Sequence, residues 1–188
     1  MAEITALILA AGFSRRLGQP KKDVRLPTGQ SLLQHAITTA TAAGLDVAVT
    51  LAAVEDLGPA VRVIAVPDPS EGMSASLRAG VAELEHEPDV HGILVMLLDQ
   101  YRLTPADLTT LADTWRSTSC QIAAARYNGV VGVPAIFGRS HFHLLAAAKG
   151  DAGAREFLRR NHPTLPTVDL PHAAIDLDTS ADVPDVHS

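Results

Sequence analysis

The sequence predicts an α/β fold: one domain in which helices cover both faces of a mostly parallel sheet, a three-layer sandwich with one late antiparallel strand. Three observations predict it. Short apolar runs alternate with helical patterns along most of the chain, and parallel strands require covering crossovers of that kind. The composition is 47% hydrophobic but only 4% aromatic, which suits a sheet under small-residue helices better than an aromatic-rich sandwich. The 188 residues can bury a large core and fit one domain, residues 1–188, better than two.

Each element follows from local pattern. ITALIL (Ile4–Leu9) reads as a buried strand, and after a polar loop SLLQHAITTATAAG places Leu32, Leu33, Ala36, Ile37 and Ala40 at helical spacing. Ser31 can cap that helix and Gly44 can end it. LDVAVTLA and VRVIAV supply two more strands, and SASLRAGVAEL a helix that Ser74 or Ser76 can cap. GILVMLL (Gly92–Leu98) is the fourth strand. The next helix opens on Thr104 as cap, Pro105 in the first turn and Asp107 as the capping-box acid. CQIAAARY and VGVPAIF then read as two strands joined by a turn at Asn128-Gly129, which makes the antiparallel insertion. Helices are expected over Ser140–Ala148 and Ala152–Arg160, a short strand or two between Thr167 and Thr179, and a frayed tail over 181–188.

Charge and cysteine content narrow the function. The net charge of −6 draws the chain toward neither nucleic acid nor an anionic membrane, so any bound anion must meet local charge. The single Cys120 excludes an internal disulfide framework and a zinc cluster, and as the opening residue of a strand it reads as a buried, inert thiol in a reducing cytoplasm. The first dozen residues lack a basic leader, and their strand-like run of about seven positions is far below a membrane span. His141 and His143, two apart at a helix start, point to different sides and suit surface or packing roles.

Positive charge is concentrated in one place. Arg15, Arg16, Lys21, Lys22 and Arg25 are five of the 15 Lys and Arg residues and face one acid, Asp23. A solvated loop is the bland reading of such a run. This run, however, follows the first strand directly, and open α/β sheets bind ligands outside the carboxyl ends of their strands. Ala10, Ala11 and Gly12 are small enough for backbone amides to approach a phosphate, and Arg16 and Lys21 can neutralise it. Neither the dinucleotide G-x-G-x-x-G nor the P-loop pattern is present. Asp99 ends the fourth strand; because Thr104 takes the cap of the following helix, Asp99 remains available to a magnesium ion, which prefers carboxylate and phosphate oxygens.

The pattern L-x-A-G-x-S-x-R-x-G-x-x-K, carried by Leu9, Ala11, Gly12, Ser14, Arg16, Gly18 and Lys21, resembles the signature of the molybdenum cofactor nucleotidyltransferases. Five later segments extend the resemblance over nearly the whole chain: PDPSEGMSASLRAG (Pro67–Gly80), LLDQ (Leu97–Gln100), GVPAIF (Gly132–Phe137), KGDAGAR (Lys149–Arg155) and DLDT (Asp176–Thr179). The resemblance implies a Rossmann-like sheet and a magnesium-dependent transfer, with manganese as the alternative ion, of a nucleoside monophosphate to a phosphorylated acceptor. It assigns Leu9, Ala10, Ala11, Gly12, Ser14, Pro67, Gly72, Ser74 and Ser76 to the nucleotide, Arg16 and Lys21 to catalysis, and Asp99 and Asp178 to the metal. Gln100, Tyr101, Gly132, Pro134, Gly150, Asp151 and Arg155 fall to the acceptor.

The LAAG loop with GMSASLRAG is closer to the cytidylyltransferase branch than to the guanylyltransferase branch, which implies CTP, molybdopterin as acceptor, and a molybdoenzyme or its maturation factor as recipient. Two departures bear on the acceptor: the family's DQP is DQY here, with Tyr101, and KKDVRLP is longer after the lysine than in many relatives. A non-catalytic molybdenum cofactor carrier and a small oxidoreductase on the same fold are the competing readings. Arg16, Lys21 and Asp99 together argue against the first, and the missing dinucleotide fingerprint argues against a nicotinamide-using form of the second.

Overall fold

Side chains of the first strand, β1 (Ile4–Leu9), alternate between two hydrophobic cores, and the molecule is built outward from it. The computed structural model describes residues 3–12, 19–150, 154–161, 164–175 and 177. The strands that follow are β2 (Asp46–Leu51), β3 (Val61–Ala65), β4 (Gly92–Leu97), β5 (Ile122–Tyr127), β6 (Val130–Gly138) and β7 (Thr167–Asp169). They form one seven-stranded sheet in the order β3-β2-β1-β4-β6-β5-β7. Every pairing is parallel except the two made by β6, with β4 and with β5. Asn128 and Gly129 join β5 to β6 with φ of 48° and 74°, the left-handed pair that a two-residue hairpin turn requires.

Helices α1 (Leu32–Ala42) and α3 (Pro105–Arg116) cover one face, burying Leu32, Leu108 and Trp115 against Ile4, Val49 and Leu94. Helices α2 (Met73–Leu84), α4 (Phe142–Ala146) and α5 (Arg155–Asn161) cover the other, where Leu77, Phe142 and Leu158 meet Leu7, Ile93 and Phe137. This is the expected three-layer sandwich. Both predicted starts are capping boxes, Ser31 with Gln34 and Thr104 with Asp107, and Gly44 ends α1 at φ 76°.

Three local expectations are corrected. Neither Ser74 nor Ser76 caps α2: the cap is Gly72, whose φ of 89° turns the chain out of a 3-10 turn at Pro69–Glu71, and both serines lie buried inside the helix. The helix expected over Ser140–Ala148 is a 3-10 turn at Arg139–His141 followed by the five residues of α4. Cys120 precedes β5 by two residues and is only half-buried, packed against the edge of the second core. The late segment supplies one of the short strands expected there, Thr167–Asp169, and residues 178–188 lie outside the described residues. No described helix is long and apolar enough to cross a membrane.

The packing of α2 on β1 is unusually close. A Cβ on Gly80 would lie 2.5 Å from both methyl carbons of Leu7, so only a glycine lets the helix sit at this distance. That approach brings the amino end of α2 to the carboxyl end of β1.

Candidate active site

Leu9 and Leu97 pair at the ends of β1 and β4, so the loops that follow them leave the sheet side by side. The first loop begins with Ala10, whose amide continues the sheet by donating to the Thr50 carbonyl at 3.1 Å. Ala11 is buried in a small cluster with Val66 and Ala75, which seats the loop on the first turn of α2. Gly12 is exposed, and a Cβ there would meet no described atom within 4 Å. Ser14 and Arg16 lie outside the described residues.

The chain returns through a 3-10 turn at Lys21–Asp23, and Lys21 Nζ lies 2.7 Å from Asp99 Oδ2. Both side chains are largely buried, 18% and 17% exposed. The second oxygen, Oδ1 of Asp99, is buried with no hydrogen-bond partner among the described residues. The backbone carbonyl of Asp99 accepts from Tyr101 N at 2.8 Å and from Leu177 N at 3.3 Å, so the late segment runs beside Asp99 at Leu177. Asp178, the second expected metal ligand, lies outside the described residues.

Two further cations of the basic run serve the loop itself. Lys22 bonds Glu55 at 3.0 Å, and this contact chiefly raises its pKa above the ordinary lysine value. Arg25 donates to the Gly29 carbonyl at 2.7 Å.

A buried carboxylate oxygen without a donor is costly unless a cation completes it. A carboxylate oxygen in this setting fits a hard ion that keeps waters and substrate oxygens around it, as magnesium and manganese do.

Beside this pair, toward β6, a cavity of about 110 Å³ is lined by Leu9, Met73, Gln100, Tyr127, Gly132 and Arg155, among others. It gathers residues from β1, β4, β5, β6, α2 and α5. Gln100 is buried, its Nε2 donating to the carbonyls of Val133 at 2.8 Å and Ala173 at 3.1 Å, which ties the end of β4 to β6 and to a late 3-10 turn at Pro171–Ala174. Pro134 is buried in β6. Gly150 crosses the amino end of α2, its carbonyl accepting from Ser74 N at 3.1 Å, and Arg78 clamps the same segment by donating to the Ala148 carbonyl at 2.9 Å and pairing with Glu71. Ser74 Oγ is buried with no hydrogen-bond partner among the described residues. Asp151 lies outside the described residues.

Tyr101 is placed elsewhere. It does not line the cavity: it packs with the α1 and α3 core, and its carbonyl bonds His35 Nε2 at 2.8 Å. Pro67 lies on the far side of α2, in an open cleft of about 670 Å³ shared with Asp68, Glu71 and Arg78. Motif reading missed Tyr127, Met73 and Arg78. The first could have been found from the hairpin: with the turn fixed at Asn128-Gly129, Tyr127 opposes Val130 and its ring reaches across to Gly132.

A sheet of this order, with one reversed strand beside β4 and a small-residue loop after β1, fits a nucleotidyltransferase domain. The chain belongs to the MobA-like NTP transferase domain family, which matches residues 6–165. It is 30% identical to the nicotine blue oxidoreductase of Paenarthrobacter nicotinovorans, over 84% of this chain and 82% of that protein. Among solved structures it is similar to Rv0371c of Mycobacterium tuberculosis H37Rv, with a TM-score of 0.79 and 32% identity over 95% of this chain and 94% of the other. A structure of Rv0371c in complex with manganese gives 0.76 and 30% over 96% of each. The molybdopterin-guanine dinucleotide biosynthesis protein A of Archaeoglobus fulgidus, 17% identical over 97% of this chain and 96% of its own, shares the fold at a TM-score of 0.66.

Proposed function

We propose that this protein is a cytoplasmic, magnesium-dependent nucleotidyltransferase that joins CMP from CTP to a phosphorylated acceptor, molybdopterin, and releases pyrophosphate, the product passing to a molybdoenzyme or its maturation factor. The observation that carries this reading is the Lys21–Asp99 pair at the joined ends of the first and fourth strands, with one carboxylate oxygen buried and unpartnered. The CTP and molybdopterin assignments rest on the LAAG and GMSASLRAG resemblance.

In this reading an acceptor phosphate oxygen forms a bond to the α-phosphorus of CTP as the bond to the bridging oxygen breaks, and pyrophosphate leaves with the electron pair. The acceptor phosphate is already ionised at neutral pH, so no general base is needed. Lys21 and Arg16 offset the charge that builds on the departing pyrophosphate, and the loop amides after Ala10 orient the triphosphate. Asp99 and Asp178 would hold a divalent ion, which would supply Lewis-acid stabilisation of the phosphate oxygens, and the manganese complex of Rv0371c supports this class of ion. Gly132, Pro134, Gln100, Gly150, Asp151 and Arg155 shape the acceptor side, with Tyr101 acting on that side through the turn after β4.

The oxidoreductase name of the 30% identical relative favours a second reading, reduction or oxidation of a small molecule on this fold. Pyrophosphate release separates the two. The purified protein is offered CTP, GTP, ATP and UTP in turn with magnesium, with and without molybdopterin, and product masses are recorded. Release with CTP only when the cofactor is present is the expected result. Folded protein that binds the cofactor but releases nothing would support a carrier, and a reductant-dependent conversion without release would support the oxidoreductase.

A further inference from the structure

We infer that Gln100 is a positioning residue: its side-chain amide stands in for a peptide group where the sheet is interrupted, and so fixes Asp99 for the metal ion that the transferase reading assigns to it. The inference rests on that reading and names the residue on which its metal carboxylate depends.

The interruption lies between β4 and β6. Ala124 and Ala125 are neighbours in β5, yet they pair with Ala135 and Gly132, so Val133 and Pro134 form a bulge that has no register partner on β5. On the other side, the register of β4 with β6 ends at Val95 opposite Ala135, two residues before Leu97. Backbone groups that face such a gap need partners, because a buried N–H or C=O without one is costly. Gln100 supplies them. Its Nε2 donates to the Val133 carbonyl at 2.8 Å, and its Oε1 accepts from Leu97 N in a longer bond of 3.4 Å. A primary amide offers the donor and the acceptor of a peptide unit, so here it carries the ladder across the bulge.

The second proton of Nε2 goes to the late segment, at the Ala173 carbonyl 3.1 Å away. Gln100 lines the cavity but is only 3% exposed, and with both amide protons taken it has none to donate to a second substrate. Its neighbour Asp99 is held by the main chain: the Asp99 carbonyl accepts from Tyr101 N at 2.8 Å and from Leu177 N at 3.3 Å. The side chain of one residue and the backbone of the one before it thus bind β4, β6 and the late segment into a single unit around the carboxylate. Groups that orient a metal ligand from behind account for about 10–100-fold in metal affinity or activity.

The test uses Gln100→Met in the full chain, which keeps the length of the side chain and removes its donors. With CTP present, manganese affinity read by electron paramagnetic resonance should fall about tenfold. The kcat of pyrophosphate release should fall about tenfold as well, while the KM values for CTP and molybdopterin change less than about threefold. Thr104→Ala, which weakens a cap remote from the site, should leave manganese affinity unchanged, so a general loss of stability does not mimic the effect. If Gln100→Met does not fold, the unmodified chain labelled with nitrogen-15 carries the test: the Gln100 amide protons should exchange slowly with solvent and broaden when manganese is added. Unchanged manganese affinity in Gln100→Met, a loss confined to the KM for molybdopterin, or Gln100 amide protons that exchange freely or ignore manganese would overturn the inference. The unmodified protein separates it from the reading beneath it. Pyrophosphate release by that protein, with manganese held as tightly by Gln100→Met, overturns the positioning role alone, whereas manganese binding that Gln100→Met weakens, without release by either protein, overturns the transferase alone.

Discussion

The ammonium of Lys21 lies 2.7 Å from Asp99 Oδ2, while the other oxygen of the same carboxylate is buried without a partner among the described residues. One oxygen of the carboxylate is therefore neutralised by the protein, and in the proposed function the other is the one that would face a cation. The two residues are 78 positions apart in sequence, and what brings them together is the pairing of Leu9 with Leu97, which sets the two loops on one edge.

Removing either member should separate chemistry from folding. Lys21→Ala leaves a largely buried carboxylate without its ammonium, a loss of about 1–3 kcal/mol, which for a chain of this length lowers the melting temperature by ~2–4 °C per kcal/mol. Pyrophosphate release should fall by about 10²–10³, because a fixed charge at the triphosphate is lost. Asp99→Asn should keep the shape and abolish manganese binding, read by electron paramagnetic resonance. Equal loss of stability and turnover in Lys21→Ala would remove Lys21 from the chemistry.

Capping supplies a control remote from the site. Thr104 Oγ1 accepts from Asp107 N at 3.2 Å, and Asp107 Oδ2 accepts from Thr104 N at 2.8 Å. Thr104→Ala should cost about 1 kcal/mol in chemical denaturation and leave pyrophosphate release unchanged. A loss of release in this variant would mean that α3 is coupled to the site.

The start of α3 was legible because a cap is a local motif, complete within four residues; the start of α2 was not, because a glycine turn displaced the serines that could have capped it. The sheet was legible through its alternation: Ile4, Ala6 and Ile8 meet one core while Leu7 and Leu9 meet the other, and the Asn128-Gly129 turn announces the reversed strand. The cavity was less so. Gln100 reads as a ligand-facing amide in a short motif, yet its partners Val133 and Ala173 lie 33 and 73 residues away, and only the folded chain shows them. Tyr127 belongs to no motif, since its place depends on hairpin register.

His141 carries a pH dependence whose sign follows from its surroundings. Burial, and then the nearby charge of His143, lower its pKa below the ordinary 6.5. The unfolded chain therefore binds this proton more readily than the folded one. The stabilising contribution is fully present above pH 6.5 and is lost as pH falls through the depressed folded value. His141→Gln should flatten this part of the melting-temperature profile below pH 6.5. A slope of the same size in both proteins would assign it to other groups.

Close packing of α2 on β1 makes the last prediction. A Cβ at Gly80 would sit 2.5 Å from Leu7 Cδ1 and Cδ2, and Leu7 is fully buried, so the clash cannot be relieved toward solvent. Gly80→Ala gains about 1 kcal/mol of helix propensity yet should lose about 1–3 kcal/mol to overpacking, a net loss at the larger end of that range. The helix can yield only by moving off the sheet, which carries Gly72 and Ser74 at its amino end away from the loop after β1. CTP affinity, measured by calorimetry, should therefore fall together with stability. Adding Leu7→Ala removes the atoms that clash, so the double variant should be less destabilised than the sum of the two single variants, as contacting residues are not additive. Strict additivity would show that α2 does not rest on Leu7 in solution, and the amino end of the helix would then need another anchor.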